Sequence, residues 1–218
     1  MQWLWCMHTS LRGKCNKEAK KMKRRMIFAG VGGQGVLTEA NILAKAFLAA
    51  GEKALTSEVH GMAQRGGSVV CTVCAGNVHS PLIADGSADA IISMEPVEAL
   101  RYIKKLKEDG IVITDINPVI PPNVSLGEST YPDLGEVFNE LSSRSKLIKI
   151  DALDIAKRAG NAITKNIVML GALAGINILV IDKEKILQVV RENVPDKYVE
   201  MNERAFDMGY EAVKKFID

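Results

Sequence analysis

Gly30-Val31-Gly32-Gly33-Gln34-Gly35 stands between a short apolar stretch, Met26 to Ala29, and a longer one, Val36 to Ala50. Strand, glycine turn and helix in that order leave backbone N–H groups free at a helix N-terminus, where they can face an anion or a partner's backbone. The glycines alone do not choose between these. A second segment, Ser57 to Gly67 (SEVHGMAQRGG), gathers Glu58, His60, Met62, Gln64 and Arg65 among Gly61, Gly66 and Gly67, with almost no aliphatic residues. It reads as a surface loop, and loops of this polarity more often make contacts than merely connect. Arg65 beside two glycines can present its guanidinium fork to a carboxylate or phosphate with little hindrance. His60 alone reads as a hydrogen-bonding residue rather than a general base.

Other chemistries fit less well. Cys71 and Cys74 have the spacing of a redox or zinc pair, but Ser68 to Cys74 (SVVCTVC) is β-branched and strand-like. Residues three apart on a strand face opposite ways, so the pair reads as two structural thiols. With only three histidines, no metal constellation emerges. Dinucleotide binding needs more than Gly-x-Gly-x-x-Gly: an acid at the tip of the second strand must hold the ribose. Glu58 is the nearest candidate, yet it lies in the polar loop, and no crossover helix separates that loop from the next strand.

The elements that must position these residues alternate. Strands are expected at 26–29, 53–56, 68–75, 88–94, 111–114 and 147–150. Helices are expected at 36–50, at 96–108 with Pro96 at its start and Asp109-Gly110 at its end, around 137–141, and at 152–159 with Asp151 as N-cap. From Lys165 the pattern is helical to the end, with breaks near Asp182 and Pro195. This predicts a three-layer α/β/α domain around a mainly parallel, Rossmann-like sheet, with a helical C-terminal part. The run Ile167 to Ile181 is too short to span a bilayer and reads as a core or interface helix.

At 218 residues and 47% hydrophobic composition the chain fits one domain, 26–218. Residues 1–25 carry eight Lys or Arg against one acid, whereas the remainder carries twenty against twenty-five. A mildly acidic body argues against nucleic-acid binding, which needs clustered basic residues on the folded surface. The basic stretch follows its short apolar part, the reverse of a secretory signal, so a cytoplasmic protein without a membrane span is expected. Residues 1–25 read as a disordered extension, and Met22 and Met26 are alternative starts.

GVGGQGVLT at 30–38 together with SEVHGMAQRGGSV at 57–69 resembles the gamma-type subunits of 2-oxoacid:ferredoxin oxidoreductases, and most closely their indolepyruvate type. The resemblance extends over 26–218, including Asn166 to Gly175 (NIVMLGALAG). It implies a non-cofactor subunit acting in the oxidative decarboxylation of arylpyruvates, with coenzyme A as co-substrate and ferredoxin as electron acceptor. Thiamine diphosphate, Mg and 4Fe-4S clusters are then expected on a large alpha partner, not on this chain. The candidate partner or coenzyme A loop comprises Gly30, Gly32, Gly33, Gln34, Gly35, Glu58, His60, Gly61, Met62, Gln64, Arg65, Gly66 and Gly67, with no catalytic residue assigned. The alternatives are an independent NAD(P)- or FAD-binding oxidoreductase and a gamma subunit for pyruvate or 2-oxoglutarate.

Overall fold

The computed structural model describes residues 23–61 and 66–216. The expected N-terminal extension and the candidate residues Met62, Gln64 and Arg65 therefore fall wholly or largely outside the described residues. Six strands form one sheet in the order β2-β3-β1-β4-β5-β6. They are β1 (Lys23–Val31), β2 (Ala54–His60), β3 (Ser68–Gly76), β4 (Ala88–Ser93), β5 (Leu106–Asp115) and β6 (Lys146–Ile150). β1, β4, β5 and β6 are mutually parallel, while β3 runs antiparallel to both β1 and β2.

β1 can occupy the interior of the sheet because its apolar residues continue without alternation from Met26 to Val31, as burial on both faces requires. Met26 and Phe28 join the core on one face and Ile27 the core on the other. The first face is covered by α1 (Val36–Ala49), α5 (Ala152–Ala159), α6 (Lys165–Gly175), α7 (Lys183–Asn193) and α8 (Val199–Val213). The second is covered by α2 (Pro96–Tyr102) and α4 (Leu134–Arg144), with a short α3 (Pro122–Ser125) in the connection before α4. The three-layer architecture is thus as the alternation predicts.

Local signals explain most boundaries. Glu95 caps α2 through Glu98 N (2.9 Å), with Pro96 in the first turn, and Asp151 caps α5 through Asp154 N (3.0 Å). α6 is buried nearly all round and crosses α8 at glycines. A Cβ on Gly171 would stand 2.1 Å from the Phe206 carbonyl oxygen, and one on Gly209 2.0 Å from that of Val168. Only hydrogen at these positions allows the two backbones to approach so closely.

Two expectations are corrected. The helix beginning at Pro96 ends at Tyr102, followed by a 3-10 turn (Ile103–Lys105), and Asp109-Gly110 lies inside β5. β5 pairs Leu106 with Ala88, then bulges and resumes at Ile111 opposite Ala90. The polar Lys107 to Gly110 stretch fills that bulge, with Lys107 Nζ on Asp89 Oδ1 at 2.7 Å. The second correction concerns β2, which runs on to His60, so Glu58 and His60 are strand residues rather than loop residues. Pairing with β3, Glu58 opposite Cys71 and His60 opposite Val69, extends the strand through polar sequence, which an edge strand tolerates.

Candidate functional site at the carboxyl rim

β1 lies where the sheet changes direction of growth, with β3 on one side and β4 on the other. The chain leaves β1 for one face through α1 and leaves β4 for the other through α2, which opens a crevice at the carboxyl ends of the parallel strands. Because β3 runs backwards, its first residue enters at this same rim, with Ser68 opposite Val31. The glycine turn and the end of the His60 to Ser68 connection therefore meet. Gly32 N donates to Gly67 O (2.8 Å) and Gly66 N to Gly32 O (3.4 Å).

Gly33 (φ 100°) and Gly35 (φ 83°) take left-handed conformations that turn the chain into α1, whose N-cap is Gly35 without a side-chain cap. First-turn amides are thereby left for an outside acceptor. Gln34 is occupied within the fold. Its Oε1 accepts from Val31 N (2.7 Å) and its Nε2 donates to Met94 O (3.2 Å), tying the turn to the ends of β1 and β4. Gly30 lies under this brace, since a Cβ there would stand 2.8 Å from Gln34 Oε1.

Three cavities adjoin the turn. One of about 500 Å³ lies between Gly33, Leu37, Glu58, His60 and Cys71. Behind it, Glu39 of α1 is fully buried, with neither carboxylate oxygen hydrogen-bonded among the described residues, and burial holds its pKa well above the usual carboxylate value. Burial, then the nearby Glu58 and Glu39, push the Cys71 thiol up to about 12, so it is no nucleophile at neutral pH. Cys71 and Cys74 belong to the cores on opposite faces of the sheet, as strand spacing predicts. Among the described residues no three His, Cys, Asp or Glu side chains gather to hold a metal ion.

The second cavity, about 520 Å³, lies between the α1 N-terminus, α6 and the start of α8, and is lined by Gly35, Thr38, Asn166, Tyr198 and Asn202 among others. Asn166, 8% exposed, packs directly on the turn: its Nδ2 would be 2.9 Å from a Cβ on Gly35. On the other face a cavity of about 400 Å³ borders Ser68, Glu95, Glu98, Arg101 and Tyr131. There Tyr131 donates to Glu95 and Ser68 Oγ to Glu98, while Arg101 pairs with Glu98 at 3.0 Å. Burial and the Glu95 bond raise the Tyr131 pKa.

Gly30, Gly32, Gly33, Gln34, Gly35, Gly66 and Gly67 thus form one cluster at the rim, with Glu58 and His60 across the first cavity and Gly61 at the end of β2. Sequence reasoning missed the Glu95–Tyr131 and Ser68–Glu98 contacts, and it quoted Asn166 only within a longer resemblance. Pro96 carried a helix-start signal, but nothing local marks Glu95 or Asn166. Glu58 is not placed as a ribose-binding acid, since the strand beside β1 on that side is the reversed β3 and Glu58 sits one strand further out, on the edge.

Residues 25–212 match the family described as pyruvate ferredoxin/flavodoxin oxidoreductase. The indolepyruvate oxidoreductase subunit IorB of Pyrococcus horikoshii is 44% identical over 196 residues, which is 88% of this chain and 97% of that protein. Matched subunits for pyruvate and 2-oxoglutarate are more distant. The gamma subunit of a keto/oxoacid ferredoxin oxidoreductase from Geobacter sulfurreducens superposes with a TM-score of 0.63 at 28% identity, covering 87% of this chain and 97% of that one. A 2-oxoglutarate:ferredoxin oxidoreductase chain from Magnetococcus marinus, solved with 2-oxoglutarate, coenzyme A and succinyl-CoA, superposes with a TM-score of 0.66 at 20% identity. The match covers 91% of this chain but 32% of that longer one.

Proposed function

The chain belongs to the pyruvate ferredoxin/flavodoxin oxidoreductase family, and on that premise we propose that it is the small subunit of an indolepyruvate ferredoxin oxidoreductase whose rim binds the phosphates of coenzyme A. The overall reaction converts an arylpyruvate, coenzyme A and two oxidised ferredoxins into the aryl-acetyl-CoA, carbon dioxide, two reduced ferredoxins and a proton. Thiamine diphosphate with Mg and the 4Fe-4S clusters, carried by the large alpha subunit, supply the decarboxylation and the electron path. This chain's task is to present coenzyme A to that partner.

One observation carries the reading: the uncapped N-terminus of α1 opens on a cavity that Asn166 also lines, at the rim where both glycine segments meet. Partial positive charge at the helix start favours a phosphate, and a carboxamide beside it adds a directed donor. Gly32 and Gly33 admit a close approach of ligand or partner backbone, Glu58 accepts hydrogen bonds from partner loops, and Gln64 and Arg65 donate to partner loops or phosphate oxygens. Exposed Leu37, Ile163 and Tyr198 around the two cavities on the α1 face supply apolar area for the large subunit. In the Magnetococcus marinus relative the matching stretch is one part of a longer chain, consistent with a domain that works against its neighbour.

The test is kinetic and uses the assembled complex. Asn166→Ala should raise KM for coenzyme A about tenfold, with little change in KM for the arylpyruvate. Unchanged coenzyme A kinetics in that variant, or tight binding of NAD, NADP or FAD by the purified small subunit, would count against the reading.

A further inference from the structure

We infer that Lys165 is a positioning residue for the coenzyme A subsite, fixing Asn166 against the glycine turn through a buried ion pair with Asp115; the inference rests on the role of Asn166 proposed above. Lys165 opens α6, where a positive charge opposes the helix dipole. Such a lysine requires a compensating anion. Asp115, at the carboxyl end of β5, pairs with its ammonium while fully buried, and the lysine side chain is itself only 13% exposed.

The anion is fixed independently of the lysine. Asp115 Oδ1 accepts from Ala152 N at 3.0 Å, in the first turn of α5, and from Asn117 Nδ2 at 3.1 Å. The carboxylate is therefore an anchor set by β5 and α5, on which α6 is moored. The same ammonium also donates to Met94 O (3.0 Å), the carbonyl that receives Gln34 Nε2 (3.2 Å). Two tethers meet on one oxygen, one from the glycine turn and one from the start of α6. Asn166 is the next residue, and its contact with Gly35 is tight enough that a small rotation of α6 would open it.

Loss of the ammonium alone would leave Asp115 buried without its counter-charge, which is strongly destabilising. Two variants are therefore needed: Lys165→Met, and Lys165→Met with Asp115→Asn, which removes both charges and keeps the amide bonds to Asp115's partners largely available. Each is measured alone and combined with Asn166→Ala in the assembled complex, by coenzyme A kinetics and by equilibrium titration with coenzyme A. Thermal unfolding of each variant reports its folding. The expected result is a rise in KM for coenzyme A of about tenfold in the uncharged pair variant, with kcat at saturating coenzyme A nearly unchanged. That rise should disappear in the Asn166→Ala background, and Lys165→Arg should restore most of the affinity. Multiplicative effects of the Lys165 and Asn166 changes would overturn the inference, because Lys165 would then act independently of Asn166. Normal coenzyme A affinity in the folded uncharged variant would overturn it too. If Asn166→Ala alone leaves coenzyme A affinity intact, the functional reading falls and takes this inference with it.

Discussion

Gly32 and Gly67 are joined by a hydrogen bond of 2.8 Å from amide to carbonyl, although 35 positions separate them in the chain. The bond exists because β3 is the reversed strand, so the segment that precedes it arrives where β1 ends. Two glycine segments far apart in sequence thereby become one rim.

Gly35→Ala should both destabilise the fold and damage the site. Its φ of 83° disfavours any L side chain, and the new methyl would lie 2.9 Å from Asn166 Nδ2. The backbone strain alone is about 1–2 kcal/mol. Chemical denaturation of the small subunit should show a loss of at least that size, accompanied by weaker coenzyme A binding in the complex.

Gln34→Leu removes the brace between β1 and β4 while keeping an apolar side chain of similar size. Val31 N and Met94 O each lose a partner. A loss of roughly 1–3 kcal/mol is expected in urea unfolding. If stability stays at the wild-type value, the brace does not hold the turn in solution.

Gly209→Ala forces a methyl to within 2.0 Å of the Val168 carbonyl oxygen, backbone that cannot turn aside without separating α6 from α8. Overpacking of this kind typically costs about 1–3 kcal/mol. A thermal midpoint unchanged from wild type would show that the helices do not cross there.

Glu39 gives a pH signature. Burial holds its folded pKa above the unfolded value, so the folded state binds the proton more tightly. Stability from this group is intact below the unfolded carboxyl pKa, about 4.3, and declines as pH rises from there towards the folded pKa. Glu39→Gln removes the titration. Its stability relative to wild type should increase with pH across that window, read from denaturation curves at several pH values. A difference that does not vary with pH would mean that Glu39 does not titrate in this way.

Much of the fold was legible because its signals are local. The unbroken apolar run of β1, Asp151 before α5 and the breaks near Asp182 and Pro195 each act within a few residues. The errors came where tertiary pairing overrode local chemistry. Ser57 to His60 looks like loop until β3 lies beside it, and Asp109-Gly110 looks like a helix end until the bulge against β4 accommodates it. In the site, the turn and the rim were legible from their glycines. Asn166, Lys165 and Asp115 were not, because what brings them together is the crossing of α6 over the sheet: Asp115 is 50 positions before Lys165, and all three are further than that from the glycine turn.

The hairpin of β2 and β3 lies at one border of the sheet, and the chain leaves β2 after His60 and enters β3 at Ser68 at the carboxyl rim. A segment so placed can be exchanged for another of different length or character without disturbing the register of the interior strands. In this chain a change there would therefore leave both the interior register and the neighbouring glycine turn in place.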